Sequence, residues 1–172
     1  MRKFSFSALW VAGLLLCSAL SANAETFVAV AKQSKIFDEP NVKGYVSLNT
    51  RNQEITPERG MVFKSMEHNN GWHIVEYSPG IRGYLSDQAV SSPSRLPNPG
   101  TYNLANHQGV SLKVTLSGDK WEAEANGKTY PGIAQGNILI FTNSGNVPVF
   151  SVVDFGDGPI AMSYDNDVTG FF

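Results

Sequence analysis

The stretch HNNGWHIVEYSPGIRGYL, residues 68–85, decides the fold. Its Asn69-Asn70-Gly71 segment holds residues that adopt positive φ at low cost, which is typical of a tight hairpin turn. Pro79-Gly80 supplies a second turn a few residues later. The short apolar segments around the two turns therefore predict three antiparallel strands, with Trp72 at the start of the central strand.

The rest of the first half continues this pattern. After the N-terminal leader, no stretch places apolar residues at the spacing of an amphipathic helix. Short apolar or alternating segments recur instead, separated by Gly, Asn, Asp and Pro. This pattern predicts an all-β chain, with strands in the first half at residues 27–31, 35–38, 60–67, 72–77 and 81–85.

The second half predicts a β-meander of its own. VSLKVTL, residues 110–116, alternates apolar and polar residues, as in a strand with one buried face. NILIF, residues 137–141, is apolar along almost its whole length and suits a strand buried on both faces. Tight-turn residues join the segments, which favours an up-and-down barrel or a small sandwich. The predicted strands are residues 101–104, 110–116, 120–125, 129–130, 137–142, 147–155, 159–164 and 168–171.

The N-terminus has the pattern of a secretory signal peptide. Arg2 and Lys3 precede an apolar segment at residues 8–20, and Ala22-Asn23-Ala24 forms a cleavage motif of small residues. The apolar segment is shorter than the roughly 20 residues that span a bilayer. We therefore expect residues 1–24 to be removed and the protein to be periplasmic or extracellular. Cys17 lies in this leader, and Leu16 before it is larger than the small residue that a lipoprotein has there. Unless Cys17 is lipidated, the mature chain would have neither a disulfide nor a thiol nucleophile.

A Pro- and Ser-rich segment divides the mature chain. SSPSRLPNPG, residues 91–100, contains three prolines, which stiffen the chain and cannot donate to a strand ladder. We predict a first unit at residues 26–90, a linker at 91–99 and a second all-β unit at 100–172. Without Arg2 and Lys3 the chain has 11 basic and 15 acidic residues, a formal net charge of −4. That charge disfavours binding to nucleic acid or to an anionic membrane.

The first unit resembles a bacterial SH3 domain. The segment GMVFKSMEHNNGWHIVEYSPGIRGYLSDQAV, residues 60–90, is similar to the second half of that family: Gly60, Asn70-Gly71-Trp72, Val75 and Gly83-Tyr84-Leu85 occupy its motif positions. The first half departs from the family, because KIFDEPN, residues 35–41, stands where the family has a Leu-Asn-Val-Arg-Ser-Gly-Pro opening. The resemblance covers residues 27–90.

The resemblance implies an SH3-like barrel with an aromatic groove. In this chain the residues that we expect to line the groove are Trp72, Tyr84, Phe37 and Tyr45. Aromatic rings give broad contact area with few torsions to freeze, so they serve as anchors for a partner. The implied partner is a peptide, peptidoglycan or an envelope protein. The structural alternative is that Trp72 caps the barrel core and Tyr84 is a half-buried strand residue.

The sequence shows no catalytic or metal-binding motif. His68, His73 and His107 lack the spacings of zinc sites. His68 and His73 flank the hairpin turn and can approach each other, but we interpret them as exposed imidazoles at strand ends. No serine lies in a nucleophile elbow, and no cofactor motif occurs. The aspartates of the second unit are interpreted as turn residues: Asp154, Asp157, Asp165 and Asp167.

These observations predict an exported, non-enzymatic binding or adaptor protein, monomeric and not inserted in the membrane after leader removal. The expected architecture is an SH3-like barrel followed by a small antiparallel meander barrel or sandwich. Two other functions remain open. One is an accessory subunit or inhibitor of a cell-wall enzyme. The other is a carrier that holds a small ligand in the C-terminal barrel.

Overall fold

The computed structural model describes residues 26–48, 52–78 and 80–164. These ranges contain twelve β-strands and no helix, which confirms the predicted all-β class. None of their segments forms an apolar helix of membrane-spanning length. The predicted leader and the predicted strand at 168–171 lie outside the described residues. The strands are β1 Thr26–Val30, β2 Val62–Asn69, β3 Trp72–Ser78, β4 Ile81–Ser86, β5 Val90–Ser91, β6 Gly100–Asn103, β7 Ser111–Ser117, β8 Lys120–Ala125, β9 Lys128–Gln135, β10 Ile138–Thr142, β11 Pro148–Asp154 and β12 Pro159–Ser163.

The first five strands form an antiparallel half-barrel in the order β4-β3-β2-β1-β5. The hairpin between β2 and β3 pairs Asn69 with Trp72. Asn70 and Gly71 make its turn with φ values of 49° and 82°, as the sequence predicts. Because this turn and the next one are so tight, β2, β3 and β4 form the predicted meander.

The predicted strand at residues 35–38 was wrong. Phe37 forms only isolated bridges there, one to Val46 and one to Tyr84. The chain turns immediately afterwards, since the Asn41 amide donates to the Glu39 carbonyl at 2.7 Å. A residue directly followed by a turn has no length in which to extend a ladder. Phe37 nevertheless links the loop to β4, because Phe37 and Tyr84 exchange both backbone hydrogen bonds.

The remaining seven strands form a meander in which every strand pairs with its neighbours along the chain. The sheet curls into a nearly closed barrel. Leu104, just after β6, bridges to Ala161 of β12, and the Ala105 amide donates to the Ala161 carbonyl at 2.8 Å. The strand predicted at 129–130 is much longer than expected, because β9 runs on past Pro131 to Gln135.

Strand β10 separates two hydrophobic cores. Leu139 and Phe141 face the interior of the seven-stranded sheet, whereas Ile138 and Ile140 pack with residues of the five-stranded sheet. All four are almost completely buried, which confirms the prediction that this strand is buried on both faces. We call the cluster of buried residues around Leu139 and Phe141 the barrel core, and the cluster around Ile138 and Ile140 the shared core.

Polar groups also connect the two sheets. The buried Tyr164 hydroxyl accepts from the Val62 amide at 2.9 Å and lies 2.5 Å from the Ser151 hydroxyl. The Ser151 hydroxyl in turn donates to the Gly60 carbonyl at 3.5 Å. Burial raises the pKa of the Tyr164 phenol far above its usual range, so the phenol stays protonated and can both donate and accept.

The segment between β5 and β6 is attached to the seven-stranded sheet. The Ser94 amide donates to the Asp154 carbonyl at 2.7 Å, and Arg95 Nε donates to a carboxylate oxygen of Asp154 at 2.6 Å. Pro93 and Pro97 are buried. The segment that the sequence predicts as a linker is therefore held against the end of β11 by hydrogen bonds at consecutive residues.

Candidate functional site

The predicted groove residues lie on and beside the outer face of the five-stranded sheet. Val75 and Tyr77 of β3 point into the shared core. Because side chains alternate along a strand, Trp72 and Ile74 point to the opposite, outer face. Tyr84 pairs with Ile74 across the β3–β4 ladder and shares that face. We call Phe37, Tyr45, Trp72 and Tyr84 together the aromatic surface.

The structure brings three of these four residues together. The Phe37 and Trp72 rings pack edge to face, with centroids 5.8 Å apart and planes at 88°. Phe37 also bridges to Tyr84 through the backbone. Tyr45 is joined to the group only by its carbonyl, which accepts from the Asp38 amide at 3.0 Å.

The four residues differ in exposure. Phe37 is buried and packs against Trp72. Trp72 and Tyr84 are half-buried. Tyr45 is 82% exposed. A half-buried indole packed against a buried ring is held in place and remains partly accessible, as a preformed contact site requires.

A second group of functional side chains lies on the inner face of the same sheet. His73 follows Trp72 directly and points to the other side of the sheet, next to the core residue Val75. A β-bulge at Met66 interrupts the β2–β3 ladder between the pairs Ser65–Val75 and His68–His73. The extra residue shifts the alternation of β2, so that His68 shares the inner face with its partner His73.

His68 and His73 converge on Asp87, which follows β4. His68 Nε2 lies 2.9 and 3.0 Å from the two Asp87 carboxylate oxygens, and His73 Nε2 lies 3.2 Å from one of them. The two imidazoles stack with centroids 4.3 Å apart and planes at 17°. The other ring nitrogen of His73 lies 3.2 Å from the Ser65 hydroxyl. We call His68, His73 and Asp87 the His–Asp cluster.

Burial differs within the cluster and changes its electrostatics. The His73 side chain is 14% exposed, against 55% for His68. Burial and, secondarily, the neighbouring His68 lower the pKa of His73, while the negative charge of Asp87 acts in the opposite direction. His73 is therefore held in its neutral form near pH 7.

The His–Asp cluster lies at the wall of a cleft of about 660 Å³ between the two sheets. Apolar residues of β1, β5 and β10 line part of it, and hydroxyl and amide groups line the rest. The apolar group is Phe27, Val28, Ala29, Val90 and Ile138; the polar group includes Thr26, Ser91, Ser92, Gln135 and Asn137. Its mixed lining suits a small polar ligand or an ion.

The sequence predicted a group of four aromatic residues, of which the structure brings Phe37, Trp72 and Tyr84 together, but it missed the His–Asp cluster. Placing both histidines as exposed strand-end imidazoles was wrong for His73, which is largely buried. The hairpin did predict that the two histidines approach each other. The bulge at Met66 has no sequence signal, because this residue carries no distinctive side chain. The contact with Asp87 has none either, because Asp87 lies after β4, beyond the hairpin that carries the two histidines.

Comparisons with known proteins add no name to these two sites. No protein-family model matches the chain, and neither a curated protein nor a solved structure matches it. The class that the structure itself defines is an all-β protein with a half-barrel and a nearly closed barrel. Function must therefore be argued from the aromatic surface and the cleft, since fold alone does not fix function.

Proposed function

We propose that this chain is an exported, non-enzymatic binding protein that holds an extended peptide on its aromatic surface. The single observation that supports this proposal best is the edge-to-face pair of Phe37 and Trp72, with the indole half-buried. The resemblance of residues 27–90 to a bacterial SH3 domain points to the same surface. The five-strand order β4-β3-β2-β1-β5, linked back to the loop at Phe37, is compatible with such a barrel.

The chemistry of the surface favours recognition over catalysis. Phe37 and Trp72 supply apolar ring area, and Tyr84 on the same face and the exposed Tyr45 each carry a hydroxyl that can donate or accept a hydrogen bond. None of the four side chains is a carboxylate, an imidazole, a thiol or an amine, the groups that most often act as general bases or nucleophiles. An extended peptide, such as a peptidoglycan stem or a segment of an envelope protein, would present alternating side chains to such a surface.

Binding to purified cell wall tests the proposal directly. Wild-type protein, Trp72→Ala and a matched control would be sedimented with peptidoglycan and the free protein quantified. Ile133→Ala is the control because Ile133 is an exposed apolar residue, 51% accessible, on the other sheet. We expect Trp72→Ala to weaken binding by about 30-fold, the loss typical of an aromatic anchor, and Ile133→Ala to leave it unchanged.

Three results would change the proposal. Equal retention of wild type and Trp72→Ala would remove the aromatic surface as the site. Release of soluble fragments from the cell wall would contradict the non-enzymatic role. Binding to a purified cell-wall enzyme in place of the wall, again lost in Trp72→Ala, would favour the accessory-subunit or inhibitor function. Circular dichroism of each variant would establish that the sheets are retained.

We do not place a small ligand inside the C-terminal barrel. Its interior is filled by the barrel core, including Leu112, Val114, Leu139 and Phe141, each at most 1% exposed. The cleft between the two sheets offers space outside this core. A carrier function would therefore need the cleft, and native mass spectrometry of protein purified without denaturation would detect a retained molecule.

The proposed export rests on the sequence pattern of residues 1–24. Mass measurement of the protein from the periplasmic or culture fraction would test it, with a chain beginning at Glu25 as the expected result. Retention of Met1 in a cytoplasmic fraction would contradict export.

A further inference from the structure

We propose that the His–Asp cluster binds a divalent transition-metal ion, zinc being the best fit, at the wall of the cleft. Two imidazole nitrogens and one carboxylate converge there, and all the ligand atoms lie within 4.8 Å of one another. The cluster lies on the inner face of the sheet, and the aromatic surface lies on the outer face. The metal site is therefore independent of the proposed peptide-binding function.

The two nitrogen-to-oxygen distances in the cluster need only a small increase to match those around a zinc ion. Zinc ligands lie about 2.0–2.2 Å from the metal, so neighbouring ligands of a tetrahedral site are about 3.3 Å apart. His68 Nε2 and His73 Nε2 lie 2.9 and 3.2 Å from their nearest Asp87 oxygens. Opening these contacts by a few tenths of an ångström would bring both nitrogen-to-oxygen distances to the ligand spacing of a zinc site.

The stacked imidazoles must also turn. The lone pair of each nitrogen lies in its ring plane, so nearly parallel rings cannot both point at a single ion. The planes are 17° apart, and the His68 side chain is 55% exposed. His68 is therefore free to rotate toward an ion, while the less exposed His73 and its hydroxyl contact keep their position.

Ser65 provides the outer support that a histidine ligand needs. Its hydroxyl lies 3.2 Å from His73 Nδ1 and 3.5 Å from the Glu67 carbonyl. If the hydroxyl donates to that carbonyl, it can accept a hydrogen bond from Nδ1–H of His73, and in that tautomer Nε2 carries the lone pair for a metal. Histidine ligands are commonly oriented in this way by a hydrogen bond from the other ring nitrogen.

The donor set selects the class of metal. Calcium and magnesium prefer sites made of oxygen ligands, whereas two imidazoles and one carboxylate suit zinc and the neighbouring first-row ions. Three protein ligands leave at least one position of a tetrahedral ion for water or another ligand. That position would open to the cleft, where Thr26, Ser91 and Ser92 also contribute hydroxyls.

A line of contacts through Ser65, His73 and Asp87 invites comparison with a hydrolytic triad. Here, however, the serine meets Nδ1 and the carboxylate meets Nε2, the reverse of the usual arrangement. A triad would also leave His68 without a role, although the bulge at Met66 turns it toward the same carboxylate. Metal binding accounts for all three members of the cluster.

The experiment is zinc titration by calorimetry, with metal content measured after dialysis, on protein purified without a polyhistidine tag. We expect the wild type to bind one zinc ion per chain. Loss of an outer partner typically costs 10–100-fold in metal affinity, so replacing a ligand should cost about 100-fold or more. The ligand variants are His68→Gln, His73→Gln and Asp87→Asn, and Ser65→Ala should weaken binding about 10-fold.

Matched controls use residues outside the cluster. His107→Gln removes the third histidine, which is exposed beyond β6, and Asp119→Asn removes an exposed carboxylate between β7 and β8. Both should bind zinc as the wild type does. The visible spectrum of bound cobalt(II) gives a second readout, because it changes when a ligand is lost.

The proposal is overturned if wild type binds zinc no more tightly than the ligand variants, or if His107→Gln weakens binding as much as His73→Gln. Loss of fold in one variant would not obscure the result. His68→Gln changes a side chain that is mostly solvent-exposed, and it alone distinguishes a three-ligand site from a hydrogen-bonded His73–Asp87 pair.

Discussion

The two sheets of this protein build their cores differently. The seven-stranded sheet fills its interior with its own side chains, and the barrel core contains residues from Leu96 onward only. The five-stranded sheet is a half-barrel, and its core includes Ile138, Ile140, Val153 and Met162 from the other sheet. An open half-barrel cannot enclose a core alone, so the second sheet completes the first.

This difference explains where the polar features lie. Because the shared core spans a boundary between two sheets, backbone groups at that boundary cannot all pair within one ladder. Tyr164 and Ser151 supply the missing partners to Val62 and Gly60. Where the boundary is not filled it leaves the cleft, on whose wall the His–Asp cluster lies.

The largest expected effect comes from truncating the shared core at β10. Ile140→Ala should lower the free energy of unfolding by about 2–5 kcal/mol, because it removes a buried side chain and leaves a cavity. If the sheets depend on each other, the unfolding transitions of both should shift together. In the chain beginning at Glu25, which lacks Trp10, urea unfolding followed by Trp72 fluorescence in a Trp121→Phe background, and by Trp121 fluorescence in a Trp72→Phe background, would measure the two separately.

Leu139→Ala is the matched variant, since Leu139 is the neighbouring residue and faces the barrel core. Its effect should be of similar size. A shift of the Trp121 transition alone in Ile140→Ala would show that the five-stranded sheet does not need the shared core, and the comparison between the two cores would fail.

The next effect concerns the polar boundary. Tyr164→Phe removes a hydroxyl that serves the Val62 amide and the Ser151 hydroxyl, both in buried positions. An unsatisfied buried donor costs about 1–3 kcal/mol, and we expect a loss of that size in thermal or urea unfolding. Tyr130→Phe is the control: this half-buried tyrosine packs edge to face on Phe150 and should change stability by less than about 0.5 kcal/mol.

A loss as small as that of the control would mean that the Tyr164 hydroxyl network contributes little to stability, since both variants keep the ring and its packing. Adding Ser151→Ala to Tyr164→Phe sharpens the test. If the hydroxyls act as one network, the double variant should lose less than the sum of the single variants.

The sequence predicted the self-contained parts of this architecture better than the shared ones. Turn residues and alternation located most of the strands, since Asn70-Gly71 and the NILIF segment act through local geometry. The strand predicted at residues 35–38 was wrong because a strand needs a partner along its length, and Phe37 forms only single-residue bridges. The short β5 was missed because its two residues pair with β1, far away in the chain.

The two candidate sites also differ in how far the local sequence predicts them. Trp72 was located because an indole next to a tight turn has a recognisable local pattern. The His–Asp cluster depends on the bulge at Met66 and on Asp87, two long-range features of register and connection. A one-residue change of register moves a side chain to the other face of a sheet, so no local pattern could place His68.

A smaller effect is expected where the segment after β5 joins the second sheet. The Arg95 guanidinium and then the Gly156 amide hold the pKa of the buried Asp154 carboxyl below its usual range, against the effect of burial. Because the folded-state pKa is lowered, the carboxylate stabilises the fold above its unfolded pKa of about 3.9. This contribution is lost as the pH falls through the lower folded-state pKa.

Asp154→Asn keeps an oxygen for the Gly156 amide but loses the charge opposite Arg95, which is itself mostly exposed. We therefore expect a stability loss at pH 7 smaller than that of Tyr164→Phe, and a flatter dependence of the unfolding midpoint on pH below about 4. Asp119→Asn, in an exposed turn, is the control. An acid dependence identical to that of the wild type would show that Asp154 does not contribute to it.

The smallest effect should come from the exposed contact across the sheets. Arg59 Nη2 lies 2.8 Å from an Asp157 carboxylate oxygen, and its guanidinium lies 5.0 Å from the centre of the Phe155 ring. Both charged side chains are substantially exposed, at 40% and 60%, so solvent screens the pair. Arg59→Gln should therefore change the unfolding midpoint less than any variant above.

Salt separates the two contacts of Arg59. The Debye length falls to about 3 Å at 1 M salt, so the ion pair should contribute almost nothing there. Asp157→Asn should then match the wild type at high salt, whereas Arg59→Gln keeps whatever deficit the lost packing on Phe155 causes. If Arg59→Gln equals the wild type under both conditions, this contact does not help to join the two sheets, and the buried Tyr164 network and the shared core join them without it.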